Sequence, residues 1–230
     1  MELGINRQAP SERIPLDNGD SWVDLVRGFA VDAAALFTAL HTDTPWLQGE
    51  VLRYDKYIPE RRLGAWVGDR DQPVVLRQTG LHLDATYRVR FTGASAILYR
   101  DGADFQGLHS DREMKWLDET LIGILVLGQR RPFVLRPRGV NTQFVDHTPA
   151  GRAEGDITLL PGEGDLLVMG GRCQRDWVHG VPAAATDQPR ISLTWRWTSR
   201  RGRPDTAPSY ADGRQFSDAK RQPGTRSSPV

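Results

Sequence analysis

Leu121-Ile122-Gly123-Ile124-Leu125-Val126-Leu127 holds no polar side chain. Successive strand residues point to opposite faces, so such a strand has to be covered on both sides and belongs at the centre of a sheet. Around it the chain falls into short strand-like runs, at 86–91, 95–100, 132–136, 165–169 and 190–198, separated by Gly, Pro and Asp. Ser192-Leu193-Thr194-Trp195-Arg196-Trp197 alternates, as a strand does with one face toward a cavity. Helical periodicity is clear only from Val31 to His41, where Leu36, Phe37 and Leu40 recur beyond Asp32 and Pro45 stops the run. Many modest strands with few helices predict a mainly β protein with flanking helices, its core a double-stranded β-helix (jelly roll). Residues 1–20, polar and turn-rich, read as an N-terminal arm, residues 21–198 as one folded domain, and residues 199–230 as a disordered basic tail.

The totals narrow the class. Of the 230 residues 39% are hydrophobic and 26% charged, with a net charge of +1, the balance of a soluble globular protein. Basic residues nevertheless cluster at Arg130, Arg131, Arg136 and Arg138 and again at Arg200, Arg201 and Arg203, patches that suit a polyanion. Cys173 stands alone, so no internal disulfide forms and a reducing cytoplasm is the expected location. The N-terminal residues lack a signal-like stretch, and no apolar run approaches the ~20 residues that span a bilayer, so no membrane partner is expected. A monomer is expected.

His109 and Asp111, in Leu108-His109-Ser110-Asp111, place an imidazole and a carboxylate on one side of a strand end. A second histidine from a distant strand would complete the two-histidine, one-carboxylate facial triad that holds non-haem Fe(II) with open positions. His179, in Asp176-Trp177-Val178-His179-Gly180-Val181, follows a strand and a glycine turn and is that candidate. Arg190 and Arg196 lie six apart on the last strand and share its face. Two guanidiniums aimed into a cavity call for an anion, and a small dicarboxylic acid meets arginine in a two-pronged fashion. His41, His82 and His147 lack such company and read as surface or loop residues. Cys173 reads as a small turn residue, and most of the tryptophans as core.

In this order the motifs resemble the AlkB family of Fe(II)- and 2-oxoglutarate-dependent dioxygenases, over roughly residues 45–198. Leu98-Tyr99-Arg100-Asp101-Gly102-Ala103-Asp104-Phe105-Gln106-Gly107-Leu108-His109-Ser110-Asp111-Arg112-Glu113 is similar to the family's tyrosine-to-HxD segment, notably in its DNA-repair members. Arg190-x-Ser192-Leu193-Thr194-x-Arg196 is similar to its closing motif, and Arg62-Leu63-Gly64-Ala65-Trp66-Val67-Gly68-Asp69 to its substrate lid. The resemblance implies that His109, Asp111 and His179 bind Fe(II), that Tyr99, Arg190 and Arg196 bind 2-oxoglutarate, and that O2 is the oxidant. It further implies that Glu113, Arg62 and Trp66 meet the substrate, with Arg112, Arg136 and Arg138 on phosphates. The expected activity is oxidative demethylation of N-alkylated bases in DNA or RNA.

The chain departs from the family's pattern at Ile97, where Asn is common, and at Arg61 and Val67 in the lid. Between Gly80 and Tyr99 it reads as shorter than members that carry a helix there. Two other readings stay open: the same iron chemistry on a small metabolite or an amino-acid side chain, and an inactive nucleic-acid-binding module.

Overall fold

The computed structural model describes residues 3–53, 56–67, 72–111, 114, 117–139 and 155–199. In chain order, β1 (Gly4–Ile5), β2 (Ser11–Pro15), β3 (Ser21–Val26) and β4 (Ala30–Val31) precede α1 (Ala33–Asp43). The hairpin of β5 (Leu47–Arg53) and β6 (Lys56–Val67) leads to α2 (Val74–Tyr87). Then come β7 (Thr92–Tyr99), β8 (Gln106–His109), β9 (Thr120–Gly128), β10 (Phe133–Pro137), β11 (Ile157–Leu159) and β12 (Leu166–Gly171). The short α3 (Cys173–Asp176), β13 (Trp177–Val181) and β14 (Arg190–Thr198) complete the described chain.

The strands form a large sheet in the order β2-β3-β12-β9-β14-β7-β6-β5 and a smaller one in the order β11-β10-β13-β8, with β1 and β4 paired apart. This is the expected jelly roll. Alternation along the central strands explains both layers. Leu121, Leu125 and Leu127 of β9 join Ile191, Leu193 and Trp195 of β14 in a core shared with α1 and α2. The other face of β9 sends Ile122, Ile124 and Val126 into a second core, with Tyr99 of β7 and with Phe133, Leu135 and Val181 of the small sheet. β9 is thus covered on both sides, as its sequence demands. Gly123 permits the close approach of α2, since a Cβ there would lie 2.8 Å from Leu83 Cδ1.

Several expectations are corrected. The run 86–91 is not a strand: α2 occupies 74–87, burying Val75, Leu76, Thr79 and Leu83 at helical spacing. Arg88 ends α2 in the left-handed region (φ 55°), and Tyr87, Val89 and Phe91 pack on the helix-side core while imitating strand alternation. A helix therefore does stand between the lid-like hairpin and Tyr99. Residues 1–20 carry strands rather than a loose arm: β2 extends the large sheet beside β3, and Ile14 and Leu16 reach the second core. The 199–230 tail lies outside the described residues except for Ser199, whose hydroxyl donates to the Glu119 carbonyl. Among the described residues no helix is long and apolar enough to cross a membrane.

Candidate metal centre

β8 and β13 pair antiparallel with His109 and His179 as Cα partners, which brings two residues 70 positions apart side by side. Gly180 makes that pairing close: a Cβ there would meet the Gln106 carbonyl oxygen at 2.7 Å. The two imidazole centroids lie 4.4 Å apart, and Phe133 stacks on His179 at 5.6 Å. Asp111, just past β8, turns back so that its Oδ1 lies 3.5 Å from His109 Nε2. One donor atom from each of His109, Asp111 and His179 lies within 4.8 Å of the others.

The surroundings fix the state of each donor. His109 Nδ1 lies 2.9 Å from the Gly107 carbonyl oxygen. A carbonyl can only accept, so Nδ1 carries a proton, and the other ring nitrogen, Nε2, is the one turned toward Asp111. The Gln106 side-chain amide nitrogen lies 3.2 Å from the same Nδ1. Burial, reinforced by the nearness of His109, pushes His179 down to about 3, so its imidazole is neutral in the physiological range. Burial alone would raise the Asp111 carboxyl, but Arg196, followed by the two histidines, holds it well below the usual carboxylate range. Asp111 Oδ2 accepts from Arg196 Nε at 2.7 Å, and its main-chain N–H donates to Gln174 Oε1 at 2.9 Å. Oδ1 therefore remains for a cation. Two imidazoles and one carboxylate, with a buried His179 Nδ1 that has no hydrogen-bond partner, fit a divalent transition metal.

A cationic pocket adjoins this group. Arg190 opposes Tyr99 across the β14–β7 ladder and is 1% exposed. Its guanidinium carbon sits 5.3 Å from the Tyr99 ring centre, and one Nη donates to Ser192 Oγ at 2.6 Å, while its Nε has no partner. Burial pushes Arg190 down to about 10, still protonated at neutral pH. A buried cation without a carboxylate partner is costly, and an anionic ligand removes that cost. The expected pocket residues thus come together, with one difference in emphasis: Arg196 reaches Asp111 and Ser95 Oγ (3.0 Å), at the metal side.

The lid-like strand faces the same space. Trp66 pairs with Ser95 on β7, and Arg62 and Gly64 share its face of β6. Trp66 is 38% exposed, as a substrate contact needs to be, and Arg62 pairs with Glu60 at 2.9 Å. Glu113, Arg112, Trp116 and His147 lie outside the described residues. Arg136 does not stand ready for a phosphate: it is buried in a two-pronged ion pair with Asp156 at 2.6 and 2.7 Å. Arg138 is exposed, but it pins Ser110 Oγ at 2.6 Å and the Gln174 carbonyl at 2.9 Å, steadying the turn between the first two donors. Cys173 is buried in the second core, where burial pushes its thiol up, so it stays a packing residue. His41 is exposed and stacks on Phe37, and His82 sits against Phe29.

Sequence reasoning missed Gln174 and read Arg138 and Arg131 only as parts of a basic patch or a phosphate contact. Gln174 is fully buried behind Asp111, Arg138 braces Ser110, and Arg131 is fully buried beside Tyr99, its guanidinium carbon 5.2 Å from the ring centre. Arg131 left one trace of burial, its place one proline ahead of the apolar run Phe133-Val134-Leu135.

Residues 70–196 match the family described as the 2OG-Fe(II) oxygenase superfamily. The chain belongs to that superfamily. It is AlkB-like within it: the mouse alpha-ketoglutarate-dependent dioxygenase alkB homolog 3 is 29% identical over 208 residues, spanning 84% of this chain and 71% of the relative. The Arabidopsis thaliana DNA oxidative demethylase ALKBH2 is 33% identical over 129 residues, 50% of this chain and 41% of the relative. Among solved structures, a Trichoplax adhaerens prolyl hydroxylase in complex with a hypoxia inducible factor peptide shares the fold, with a TM-score of 0.54 at 13% identity over 77% of this chain and 84% of its own. This AlkB-like chain is accordingly a 2-oxoglutarate-dependent oxidoreductase that uses Fe(II), 2-oxoglutarate and O2.

Proposed function

We propose that this oxygenase removes alkyl groups oxidatively from N-alkylated bases of DNA or RNA. The observation that carries the reading is the convergence of His109, Asp111 and His179 beside the buried Arg190–Tyr99 pocket, in a chain similar to alkB homolog 3. His109 Nε2, Asp111 Oδ1 and His179 hold Fe(II). Arg190 takes the far carboxylate of 2-oxoglutarate, with the Tyr99 hydroxyl beside it. Arg196 keeps Asp111 ionised and turned so that a single oxygen is offered to the metal.

When bound, iron, 2-oxoglutarate and O2 supply oxidation of an N-methyl C–H bond: 2-oxoglutarate leaves as succinate and CO2, and the N-hydroxymethyl product loses formaldehyde. The chain supplies position and charge. A paired base has to leave its stack to reach the metal. Trp66, half exposed on the site-facing side of β6, offers the flat apolar surface on which an extruded base stacks. Arg62 on the same face stands toward the strand carrying that base, and Glu113 supplies a carboxylate for a cationic methylated base such as 1-methyladenine or 3-methylcytosine.

Formaldehyde release from single- and double-stranded DNA and RNA oligonucleotides bearing those two bases tests the reading. Release that needs both iron and 2-oxoglutarate is expected. Succinate formation that never responds to any methylated oligonucleotide would remove nucleic acid as the substrate and leave the oxygenase chemistry standing.

A further inference from the structure

Arg131 is a fully buried arginine with no carboxylate within ion-pair distance among the described residues. Its donors go to main-chain carbonyls of two segments: Asp101 at 3.0 Å and Asp104 at 2.8 Å in the run-in to His109, and Pro182 at 2.7 Å in the run-out from His179. The same two segments interlock nearby, where Gly102 N–H donates to the Thr186 carbonyl and Ala184 N–H to the Gly102 carbonyl. The nearby acidic side chains are otherwise engaged. Asp104 takes a two-pronged pair from Arg100, and Asp101 accepts from the Ala103 and Asp104 N–H groups. Nε of Arg131, like Nε of Arg190, has no hydrogen-bond partner. Both guanidinium carbons stand within 5.3 Å of the Tyr99 ring centre.

We propose that Arg131 is a positioning residue that sets cosubstrate selectivity: it fastens the segments leading to His109 and from His179 and adds a second buried positive charge behind Tyr99, so that the pocket favours a 2-oxo acid with an anionic far end. Ladder pairing places Tyr99 and Arg190 opposite each other, and Arg131 reaches the pocket through Tyr99 and not by touching the ligand. Two cations around one ring are repelled by each other and are stabilised together by a carboxylate. Through a protein interior a charge at such separation changes anion affinity on the order of tenfold. This inference rests on the reading of Tyr99 and Arg190 as the 2-oxoglutarate pocket.

The test is a binding ratio, measured by calorimetry on Mn(II)-loaded protein without oxygen: the Kd of 2-oxopentanoate, which lacks the far carboxylate, over that of 2-oxoglutarate. Partial unfolding cancels in a ratio taken within one variant. Arg190→Met is expected to bring the ratio near one. Arg131→Gln, neutral but still an amide donor, is expected to lower it on the order of tenfold, and Arg131→Lys to keep most of it. A wild-type ratio in Arg131→Gln overturns the proposal, as does a Lys variant no better than the Gln variant. Loss of the native fold in the Gln variant makes Arg131 a structural residue only and overturns it as well. An Arg190→Met variant that keeps the ratio instead brings down the pocket reading itself, and this inference with it.

Discussion

Arg196 Nε donates to Asp111 Oδ2 at 2.7 Å across 85 residues of sequence, which leaves Oδ1 on the side of His109. The guanidinium therefore does two things at once: it keeps a buried carboxylate charged and it chooses which oxygen a metal meets. Orientation of this kind around a metal ligand is typically worth 10- to 100-fold in affinity. Arg196→Met is expected to weaken Mn(II) binding by about that range, read by electron paramagnetic resonance titration. An unchanged affinity would show that Asp111 is oriented without it.

Arg190 should show a conflict between stability and binding. Burial lowers its pKa to about 10, so at neutral pH the folded state carries a cation that the ligand-free protein does not fully compensate. Arg190→Met is expected to raise ligand-free stability by about 1 kcal/mol and to weaken 2-oxoglutarate binding by about 100-fold. Urea unfolding and calorimetry on the same preparation check both. A large loss of stability would mean that the cation is satisfied without a ligand.

The acid side of the stability curve belongs first to His179. Its folded pKa, about 3, lies below the ordinary 6.5, so the unfolded chain binds the extra proton as pH falls. Stability of the metal-free protein is therefore lost progressively from about pH 6.5 toward pH 3. Asp111, whose carboxyl is also depressed, adds a loss of the same sign below the ordinary carboxylate pKa. His179→Gln is expected to flatten the first part of this fall, measured by urea unfolding at pH 7, 5.5 and 4.5. Parallel curves for variant and wild type would refute the assignment.

Much of this arrangement was legible in the chain. Leu121–Leu127 announced a strand covered twice, and the order of His109, Asp111, His179, Arg190 and Arg196 announced the metal group and its pocket. What stayed hidden depends on pairing at a distance. Local alternation around Arg88 imitated a strand because Tyr87, Val89 and Phe91 face the core while leaving a helix. Arg136 read as a phosphate contact because nothing near it in sequence reveals Asp156 as its partner. Gln174 and Arg138 acquire their roles only when α3 is folded against the turn holding Ser110 and Asp111. Residue type and spacing suffice to name donors, whereas the groups that orient those donors emerge only from tertiary contacts.

Gly180 offers a last test of the centre, through backbone geometry alone. β13 and β8 approach so closely at this residue that an added Cβ would stand 2.7 Å from the Gln106 carbonyl oxygen, a backbone atom that cannot swing aside as a side chain would. Gly180→Ala must therefore push β8 outward, carrying His109 away from its Cα partner His179 while leaving every metal-binding side chain in the sequence. The small sheet is distorted at its edge, so a stability loss of about 1–3 kcal/mol is expected. Since ligand displacements of even about 1 Å are felt strongly at preorganised sites, Mn(II) affinity is expected to fall by at least tenfold. Gly123→Ala serves as the control. It crowds Leu83 at 2.8 Å on the helix-side core, away from the metal group, so it costs a similar amount of stability without changing metal affinity. Equal effects of the two variants on Mn(II) binding would mean that the closeness of β8 and β13 at Gly180 does not set the distance between the two histidines.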